Sequence, residues 1–448
     1  MASIARALAN VKDYFATYVP ESMILEACQD VDHKWRERQL GAVVTTYLFL
    51  QQIAHGNTAC NHLRHLSGLP VSASAYCQAR SRLPLEFFER LQARVTEAVR
   101  TRLPRVACRR WQRQRLFFLD GSSFSMSDTP ELQAHFGQPV GQAPGCGFPT
   151  AHLMALFDHP TGLLRKTVAM PLHTSDMAQA AALHPELRPS DVLVGDRAFC
   201  SFAHLALCRQ RRIHAIFRAH QKQIISFRMG RMHRPMRYAA AEQKGLPSSR
   251  WLKRLGHRDQ LVEYFKPVKK PVWMTEKQWE ILPPSITVRE VRYRIQVPGV
   301  RTREVTLVTT LLDADRYTAK ELAHVYGLRW GLEVNLKHLK QTMRMDVLHC
   351  LTVAGVLKEL AVFVIVYNLV RRVMAAAAQR QKMPPSRISF IDAWRWLQQA
   401  KPTTAMPDLV VNPERPGRYE PRVRKRRPKQ YPVMKKPRAQ LRKALLGK

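Results

Sequence analysis

The order of apolar segments in the second quarter of this chain restricts its fold more than any other feature. The segment "RLFFLD" predicts a buried strand over Leu116–Leu119 that ends at Asp120, and "AHLMALF" and "LLRKTVAM" predict two strands joined by the turn "DHPTG". A helix capped by Ser175 or Asp176, a strand "DVLVGD" ending at Asp196, a helix from "SFAHLALCRQRR" and a strand "HAIF" follow. Three strands in a meander, followed by alternating helices and strands, predict a mixed α/β sheet with helices on its faces.

The first quarter of the chain has a different pattern. The segments "QLGAVVTTYLFLQQIA" and "LPLEFFERLQARVTEAVRTRL" have the length and periodicity of helices. Between them, "VSASAYCQARSRL" begins with serines suited to N-capping and carries Arg80 and Arg82. This helix is either part of a small DNA-binding module or a packing helix with solvated arginines.

Two further segments depart from the α/β pattern. Residues 222–304 are basic and lack helical periodicity, and "VRYRIQV" and "VTLVTTLL" flank Pro298-Gly299 like a hairpin, which predicts a β-rich insertion. The segment from Pro413 is rich in Pro, Lys and Arg and predicts a disordered basic tail that touches phosphates. With 448 residues, the chain is long enough for two or three folding units. We predict a helical N-terminal DNA-binding region (1–108), the first part of an α/β core (109–221), a β-rich insertion (222–304), the second part of the core (305–378) and a basic C-terminal segment (379–448).

The charge balance points to a polyanionic partner. The chain has 72 Lys+Arg against 34 Asp+Glu, which gives a net charge of +38 and a pI near 10.6. Nucleic acid is the usual partner of such a surplus, because each neutralised phosphate releases counterions. A ribosomal or membrane-surface protein would share this bias.

Cysteine usage and hydropathy indicate the compartment. The eight cysteines form no CxxC pair and no Cys/His cluster at zinc-ligand spacing, so neither a disulfide framework nor a structural metal is expected and a reducing cytoplasm fits best. The start "MASIARALANVKDYF" lacks the apolar region and cleavage site of a secretory signal. The uncharged run Leu360–Val370 is too short to span a membrane and predicts a buried core helix. We therefore expect no membrane partner.

Three carboxylates occupy positions at which they could take part in chemistry. Asp120 and Asp196 each end a predicted buried strand, where a sheet presents side chains to a ligand, and Glu333 lies on a predicted helix. If the fold brings them together, cations must relieve their repulsion, and Mg²⁺ with oxygen ligands is the natural solution. Alternatively, each aspartate is an ordinary strand-to-turn residue and Glu333 is a surface i,i+4 partner of Arg329. A fourth acid, Asp128, is interpreted as a helix cap rather than as a metal ligand.

The segment "YGLRWGLEVNLKHLK" carries an unusual order of polar residues for a surface helix. Tyr326, Glu333 and Lys340 are seven residues apart, close to two helical turns, and Arg329 lies one turn before Glu333. If one helix covers the segment, all four side chains project from one stripe.

Taken together, these segments resemble a known family. "FFLDGSSFSMSDTPELQAHFGQPVGQAPGCGFPTAHLMALFD", "VLVGDRAFCSF" and Tyr326-x2-Arg329-x3-Glu333-x6-Lys340, followed by "TMRMDVLHC" and "KELAVFVIVYNLVRR", are similar to bacterial insertion-sequence transposases of the DDE class. The branch is the one with the Tyr-Arg-Glu-Lys signature. The resemblance covers most of residues 115–372, and "SASAYCQARSRL" resembles the leading helical region of that family. A departure is "LTVAGVLKEL", where relatives usually have a proline and an acid, so the helix start there is left open.

The resemblance implies a ribonuclease-H-like mixed sheet core in which Asp120, Asp196 and Glu333 are catalytic and bind two Mg²⁺ ions, for which Mn²⁺ may substitute. Two such ions could activate a water or a 3′-hydroxyl on one side of a phosphodiester and stabilise the leaving oxygen on the other.

The resemblance also implies DNA contacts. Arg329 and Lys340 would contact phosphates near the scissile bond, and Tyr326 would support the same strand, in agreement with the donor geometry of these side chains. Trp330 and Trp273 are candidates for stacking on an extruded base. Alternatively, either tryptophan could pack in the interior of the protein. The further candidates for DNA contact are Arg80, Arg197, Trp330 and Lys337.

The expected function is that of a DNA transposase, which cleaves at terminal inverted repeats and joins the freed 3′-hydroxyl ends to target DNA. Double-stranded DNA is the expected partner, a homodimer is expected in the synaptic complex, and the expected location is the bacterial cytoplasm at the nucleoid. Two alternatives stay open: a non-catalytic DNA-binding repressor derived from a transposase, and a nuclease of the same fold without strand transfer.

Overall fold

The fold is described from a computed structural model of the 448-residue chain. The structure describes residues 15–16, 18–35, 39–104, 108, 110–159, 161–174, 176–221, 223, 225–230, 232–233, 247–295, 304–399, 405–414 and 434–446.

The N-terminal region is helical, as predicted. Its helices are α1 (Glu21–Gln29), α2 (Ala42–Ala54), α3 (Leu63–Ser67), α4 (Ala73–Arg82) and α5 (Leu85–Thr101). The Ser72 hydroxyl caps α4 by accepting a hydrogen bond from the amide of Ala75, so the predicted serine cap is confirmed. The amphipathic helix α5 follows Pro84 and packs against the long C-terminal helix α12 (Val353–Arg380). The N-terminal helices therefore share one hydrophobic core with the second half of the chain.

The central sheet confirms the predicted mixed α/β fold. The strands β1 (Leu116–Met126), β2 (Thr150–His159) and β3 (Leu164–Pro171) form an antiparallel meander, and β4 (Val192–Gly195) and β5 (His214–Arg218) continue it in parallel to β1. The helices α6 (Pro130–Phe136), α7 (Asp176–Ala182) and α8 (Phe202–Gln210) connect them. A meander followed by two parallel strands with helical connections is the topology of a ribonuclease-H-like core.

One strand boundary differs from the prediction. The strand predicted over Leu116–Leu119 does not end at Asp120 but runs on to Met126. The extension has a physical cause, because β2 continues to pair with β1 as far as Ser125↔Thr150. Asp120 therefore lies inside a strand, where its parallel neighbour β4 stops.

The predicted β-rich segment extends the same sheet. Its strands are β6 (Met232–His233), β7 (Ser249–Gly256), β8 (Asp259–Phe265) and β9 (Ser285–Arg294), with a short helix α9 (Glu276–Glu280). The next strand, β10 (Glu304–Thr309), pairs with β9 on one side and with β5 on the other, so the strand order is β3-β2-β1-β4-β5-β10-β9-β8-β7-β6. The predicted hairpin of β9 and β10 is confirmed as an antiparallel pair, while its turn at Pro298-Gly299 lies outside the described residues. The division into five regions stays a proposal.

Helices complete the C-terminal half. After α10 (Ala319–Gly327) and α11 (Trp330–Lys337), a π-helical turn His338–Thr342 leads to β11 (Val347–Leu348), which pairs with β1. The helix α12 begins after the cap residue Thr352. Among the described helices, α12 alone passes the length and composition test for a membrane span, and most of it is buried in the protein. The prediction of a buried core helix is therefore confirmed.

The end of the chain partly corrects the prediction of a disordered basic tail. Residues 415–433 lie outside the described residues, whereas Arg438–Leu446 forms the helix α14. The helix α13 (Phe390–Gln399) precedes the tail and packs against α12.

The prediction of one continuous helix through Tyr326–Lys340 is wrong in detail. The chain changes from α10 to α11 at Leu328 and Arg329, which we call the helix break. There the amides of Arg329 and Gly331 donate to the carbonyl oxygens of the residues three positions earlier, Tyr326 and Leu328. Glycine destabilises a helix by about 1 kcal/mol relative to alanine, and Gly327 and Gly331 flank the break. Tyr326 and Glu333 therefore lie on two separate α-helices, Arg329 lies at the break between them, and Lys340 lies in the π-helical turn. The four side chains do not share one regular helical stripe.

Candidate active site

The register of two parallel strands places Asp120 beside Asp196. The last paired residues of β1 and β4 are Leu119↔Gly195, and the two aspartates are the next residues of their segments. Asp196 also begins the 3₁₀ turn that follows β4. Both carboxylates therefore lie at the carboxyl end of β4, the edge at which α/β sheets bind ligands.

Tyr326 and Arg329 connect these aspartates to Glu333. The Tyr326 hydroxyl donates a hydrogen bond to Oδ1 of Asp196 at 3.1 Å. Nη1 of Arg329 lies 3.5 Å from Oδ2 of Asp120, and Nη2 donates to Oε1 of Glu333 at 3.0 Å. One arginine thus bridges two acids, and the tyrosine one turn earlier holds the third. We call Asp120, Asp196 and Glu333 the acid group.

The acid group is partly buried. The exposed side-chain fractions are 20% for Asp120, 16% for Arg329 and 45% for Glu333. Burial raises the pKa of Asp120 to about 6; Arg329 opposes this rise, and the charges of Asp196 and Glu333 add to it. The acids therefore repel one another, and the guanidinium of Arg329 offsets part of this repulsion.

The other predicted residues of this segment lie around the helix break. Trp330 is 53% exposed, so it is not a core residue, and its ring is accessible for stacking. Lys337 is exposed on α11, and Lys340 is half-buried in the π-helical turn. Arg197 is exposed beside Asp196 and donates a hydrogen bond to Oε1 of Gln221 at 2.8 Å. Their contacts with DNA stay predictions.

Two predicted residues have partners inside the protein. The guanidinium of Arg80 lies over the Phe49 ring, 4.7 Å from its centroid, and donates to Oε1 of Gln52 at 3.2 Å. Trp273 is partly buried and packs against a hydrophobic cluster on one side of the sheet. For both residues the geometry favours the packing alternative, and DNA contact by either stays a prediction.

The sequence did not predict a polar groove that lies next to the π-helical turn. It has a volume of about 580 Å³ and lies between the loop after α2 and the segment that follows the π-helical turn. The two sides of the groove are far apart in the chain, so no local pattern predicts it. The segment "TMRMDVLHC", which forms one side, was noted only as part of the family resemblance. Beneath the groove, buried Glu359 accepts hydrogen bonds from Nδ2 of Asn57 at 2.5 Å and from the amides of His349 and Cys350 at 3.1 and 3.0 Å. The lining residues are His55, Gly56, Asn57, Thr58, Ala59, Gln341, Arg344, Asp346, Val347 and His349.

A second cluster of possible metal ligands was also missed. His184, His204 and Cys208 are buried, and their ligand atoms lie within 4.8 Å of one another. The two Nε2 atoms are 2.7 Å apart in rings inclined by only 6°, whereas two nitrogens on a tetrahedral zinc would be roughly 3.3 Å apart. Nδ1 of His204 lies 2.9 Å from the carbonyl oxygen of Phe199, so His204 can donate there and accept from His184. This geometry fits a neutral hydrogen-bonded pair that supports the turn after Asp196.

We expect the Tyr326→Phe variant to lose DNA cleavage by about tenfold to a hundredfold while it remains folded. Loss of the hydroxyl leaves Asp196 less well oriented, and a hydrogen bond to a charged group is worth about 1.5–3 kcal/mol. Single-turnover cleavage rates measure the effect. Tyr293→Phe, on the partly buried strand β9, is the control, and equal rates for both variants would show that the contact with Asp196 does not matter.

These features together define a class of protein. Three acids at the carboxyl edge of a ribonuclease-H-like sheet, with a basic helical segment beside them, are typical of DDE enzymes that cut and join polynucleotides. The family model described as "Transposase DDE domain" matches residues 111–369, which is more than half of the chain. The chain therefore belongs to this family and is a DDE-type DNA transposase.

Known proteins resemble the chain over most of its length. It is 24% identical over 385 residues to the transposase InsG for insertion sequence element IS4 from Escherichia coli (strain K12), covering 82% of this chain and 79% of that protein. A cryo-EM structure of the piggyBac transposase synaptic complex with hairpin DNA overlaps 86% of this chain and 78% of that chain, with a TM-score of 0.43 and 9% sequence identity.

Proposed function

We propose that this transposase cleaves DNA at the terminal inverted repeats of an insertion sequence and joins the freed 3′-hydroxyl ends to target DNA. The observation that carries this proposal is the convergence of the acid group on Arg329 and Tyr326. Acids that face an arginine at an accessible sheet edge combine the ligands for a divalent cation with a donor for phosphate.

The acid group fits magnesium, with manganese as a substitute. All three side chains offer carboxylate oxygens, which are the hard ligands that these ions prefer, and none of the three is fully buried. We propose that Asp120, Asp196 and Glu333 hold two ions. When bound, such ions polarise the phosphodiester and lower the pKa of the attacking water or hydroxyl.

The proposed reaction has a hydrolytic step, which breaks one phosphodiester bond, and a joining step, which forms one such bond for each one it breaks. Water attacks the phosphorus at the end of the element, the bond to the 3′-oxygen breaks, and a 3′-hydroxyl and a 5′-phosphate result. The 3′-hydroxyl then attacks a target phosphodiester and displaces the target 3′-oxygen. Arg329 and Lys340 would hold the phosphates in line during both steps, since a guanidinium can bind phosphate through two hydrogen bonds. No covalent protein–DNA intermediate is required.

The positive charge of the chain and the need to bring two element ends together suggest two partners, namely duplex DNA and a second copy of the chain. With a net charge of +38, the chain should bind both the element ends and the target duplex through their phosphates. Bringing two ends together requires two active sites, so we propose a homodimer in the synaptic complex. The proposed location is the bacterial cytoplasm, at the nucleoid.

The proposal is tested by incubating the protein with linear DNA that carries the element ends and with a plasmid target. With Mg²⁺, we expect nicks at the ends followed by joined products, and without Mg²⁺ we expect binding alone. Binding without cleavage under both conditions would indicate a repressor. Cleaved ends that never join a target would indicate a nuclease of the same fold.

Removal of the basic C-terminal tail should weaken DNA binding and reduce its salt dependence. Each phosphate contact that is lost lowers the slope of log affinity against log salt concentration by about 0.9. We expect a variant that lacks residues 413–448 to show a shallower slope in fluorescence anisotropy with end DNA. If the slope stays unchanged, the tail does not contact DNA.

A further inference from the structure

The guanidinium of Arg329 lies where a cation would have to sit between Asp120 and Glu333. Its two terminal nitrogens each contact one of the two carboxylates, at 3.5 and 3.0 Å. Oδ2 of Asp120 and Oε1 of Glu333 are the oxygens turned toward the guanidinium. A magnesium ion bound through these oxygens at about 2.1 Å would compete with Arg329 for them, because two cations so close together repel each other.

We infer that Arg329 is a stand-in cation that occupies the acid group until DNA is bound, which makes metal binding dependent on substrate. This inference rests on the proposed function of the acid group. When a DNA phosphate enters, it offers the guanidinium a better partner, because Arg–phosphate contacts form two parallel hydrogen bonds. The released carboxylates can then bind the divalent ion. DNA and metal binding are thereby coupled through one side chain, and the coupling is reciprocal.

The backbone that carries Arg329 is not regular α-helix. Arg329 belongs to the helix break, where the amides of Arg329 and Gly331 donate to carbonyls three residues earlier. Gly327 and Gly331 flank it, and a side-chain carbon built at either position would meet nothing within 4 Å. A cavity of about 470 Å³ lies behind the break and is lined in part by both glycines.

The charges that face Arg329 explain why it rests on the acids when DNA is absent. Burial alone would lower the pKa of the guanidinium. Four groups outweigh this effect and raise that pKa: Tyr326 on α10, Asp120 on β1, Asp196 after β4 and Glu333 on α11. Tyr326 itself stays on Asp196 and also packs its ring 5.9 Å from the guanidinium carbon. One acid is thus held by the tyrosine while the other two are neutralised by the arginine.

The test measures Mn²⁺ binding to the full-length protein without DNA, by electron paramagnetic resonance. We expect Arg329→Gln to bind Mn²⁺ about tenfold or more tightly than the wild type, since it removes a positive charge in contact with two ligands. Glu333 is partly exposed, which keeps the effect below that of a buried pair. Arg329→Lys, which retains the charge but cannot bridge two acids, should lie between them. Circular dichroism shows whether each variant is folded.

The control is Lys320→Gln, which removes a charge from an exposed position on the neighbouring helix α10 and should change Mn²⁺ affinity by less than about twofold. Equal Mn²⁺ affinity of Arg329→Gln and the wild type would overturn the inference while leaving the proposed function intact. Asp196→Asn should abolish binding in both backgrounds. If Mn²⁺ binds as tightly after Asp196→Asn, the ion lies elsewhere and the proposed function itself fails.

Discussion

Replacement of Asp120 or Asp196 by asparagine, or of Glu333 by glutamine, is expected to reduce DNA cleavage by about a thousandfold or more. A bound ion contributes several kcal/mol of charge stabilisation to the transition state, and about 1.4 kcal/mol corresponds to tenfold in rate. The amides keep the shape of the side chains and can still accept hydrogen bonds from Tyr326 or from the amide of Gly121. The loss should therefore be chemical rather than structural.

Affinity for end DNA should stay within a few-fold of the wild type in all three variants, because we propose that basic residues, and not the acids, contact the phosphates. Strand cleavage is measured under single-turnover conditions, and binding by gel shift. Asp128→Asn is the matched control, since Asp128 is exposed and accepts a hydrogen bond from Gln133 at 2.9 Å, whereas Thr129 and not the predicted Asp128 caps α6. Metal-dependent cleavage that persists in any acid-group variant would remove that residue from the proposed site.

Arg289→Met is expected to cause a large loss of stability, about 3–5 kcal/mol in the free energy of unfolding. The Arg289 side chain is 1% exposed and forms two hydrogen bonds with the carboxylate of Asp259, at 2.8 and 2.5 Å. It also donates to the carbonyl oxygen of Tyr317 at 2.6 Å, in the loop that leads into α10. The variant leaves a buried carboxylate without its partner.

Denaturant unfolding followed by circular dichroism measures this loss. The double variant Arg289→Met/Asp259→Leu should recover part of the stability, because it removes both charges together. The control is Arg250→Met on β7, whose ion pair with Glu263 is exposed at the arginine and should contribute no more than about 1 kcal/mol. A cost for Arg289→Met as small as that of the control would show that the buried pair does not stabilise the sheet.

Local patterns in the sequence predicted most of the fold. The strand before Asp196 ends as predicted, since the apolar run stops there and the following 3₁₀ turn is a short-range structure. The cap at Ser72 and the buried character of α12 are likewise properties of a few neighbouring residues. Such features depend on periodicity and capping, which a single sequence displays directly.

The corrected features depend on contacts between distant segments. Asp120 lies inside β1 because β2 extends that strand, and no local signal shows how far the pairing continues. Arg80 faces inward because of Phe49 and Gln52, which lie on another helix. The sequence also did not predict that Tyr326 bonds to Asp196, 130 residues away.

The glycines at positions 327 and 331 are a local indication of a helix break. The regular seven-residue spacing of polar side chains in the same segment instead favours one continuous helix, which is what we predicted. Intrinsic propensity is a weak guide where tertiary contacts decide, and here Arg329 is fixed by Asp120 from a strand far away in the sequence. Tyr326, Arg329 and Glu333 lie next to one another, while their contacts with Asp120 and Asp196 depend on the fold.

The central claim is that Asp120, Asp196 and Glu333 form one binding site for divalent metal. The most direct measurement is the anomalous diffraction of Mn²⁺ in crystals of the transposase bound to DNA that carries an element end. The account predicts manganese peaks within about 2.0–2.6 Å of carboxylate oxygens of all three acids, with Arg329 turned to a phosphate. Manganese bound elsewhere, with Arg329 still between Asp120 and Glu333, would contradict it.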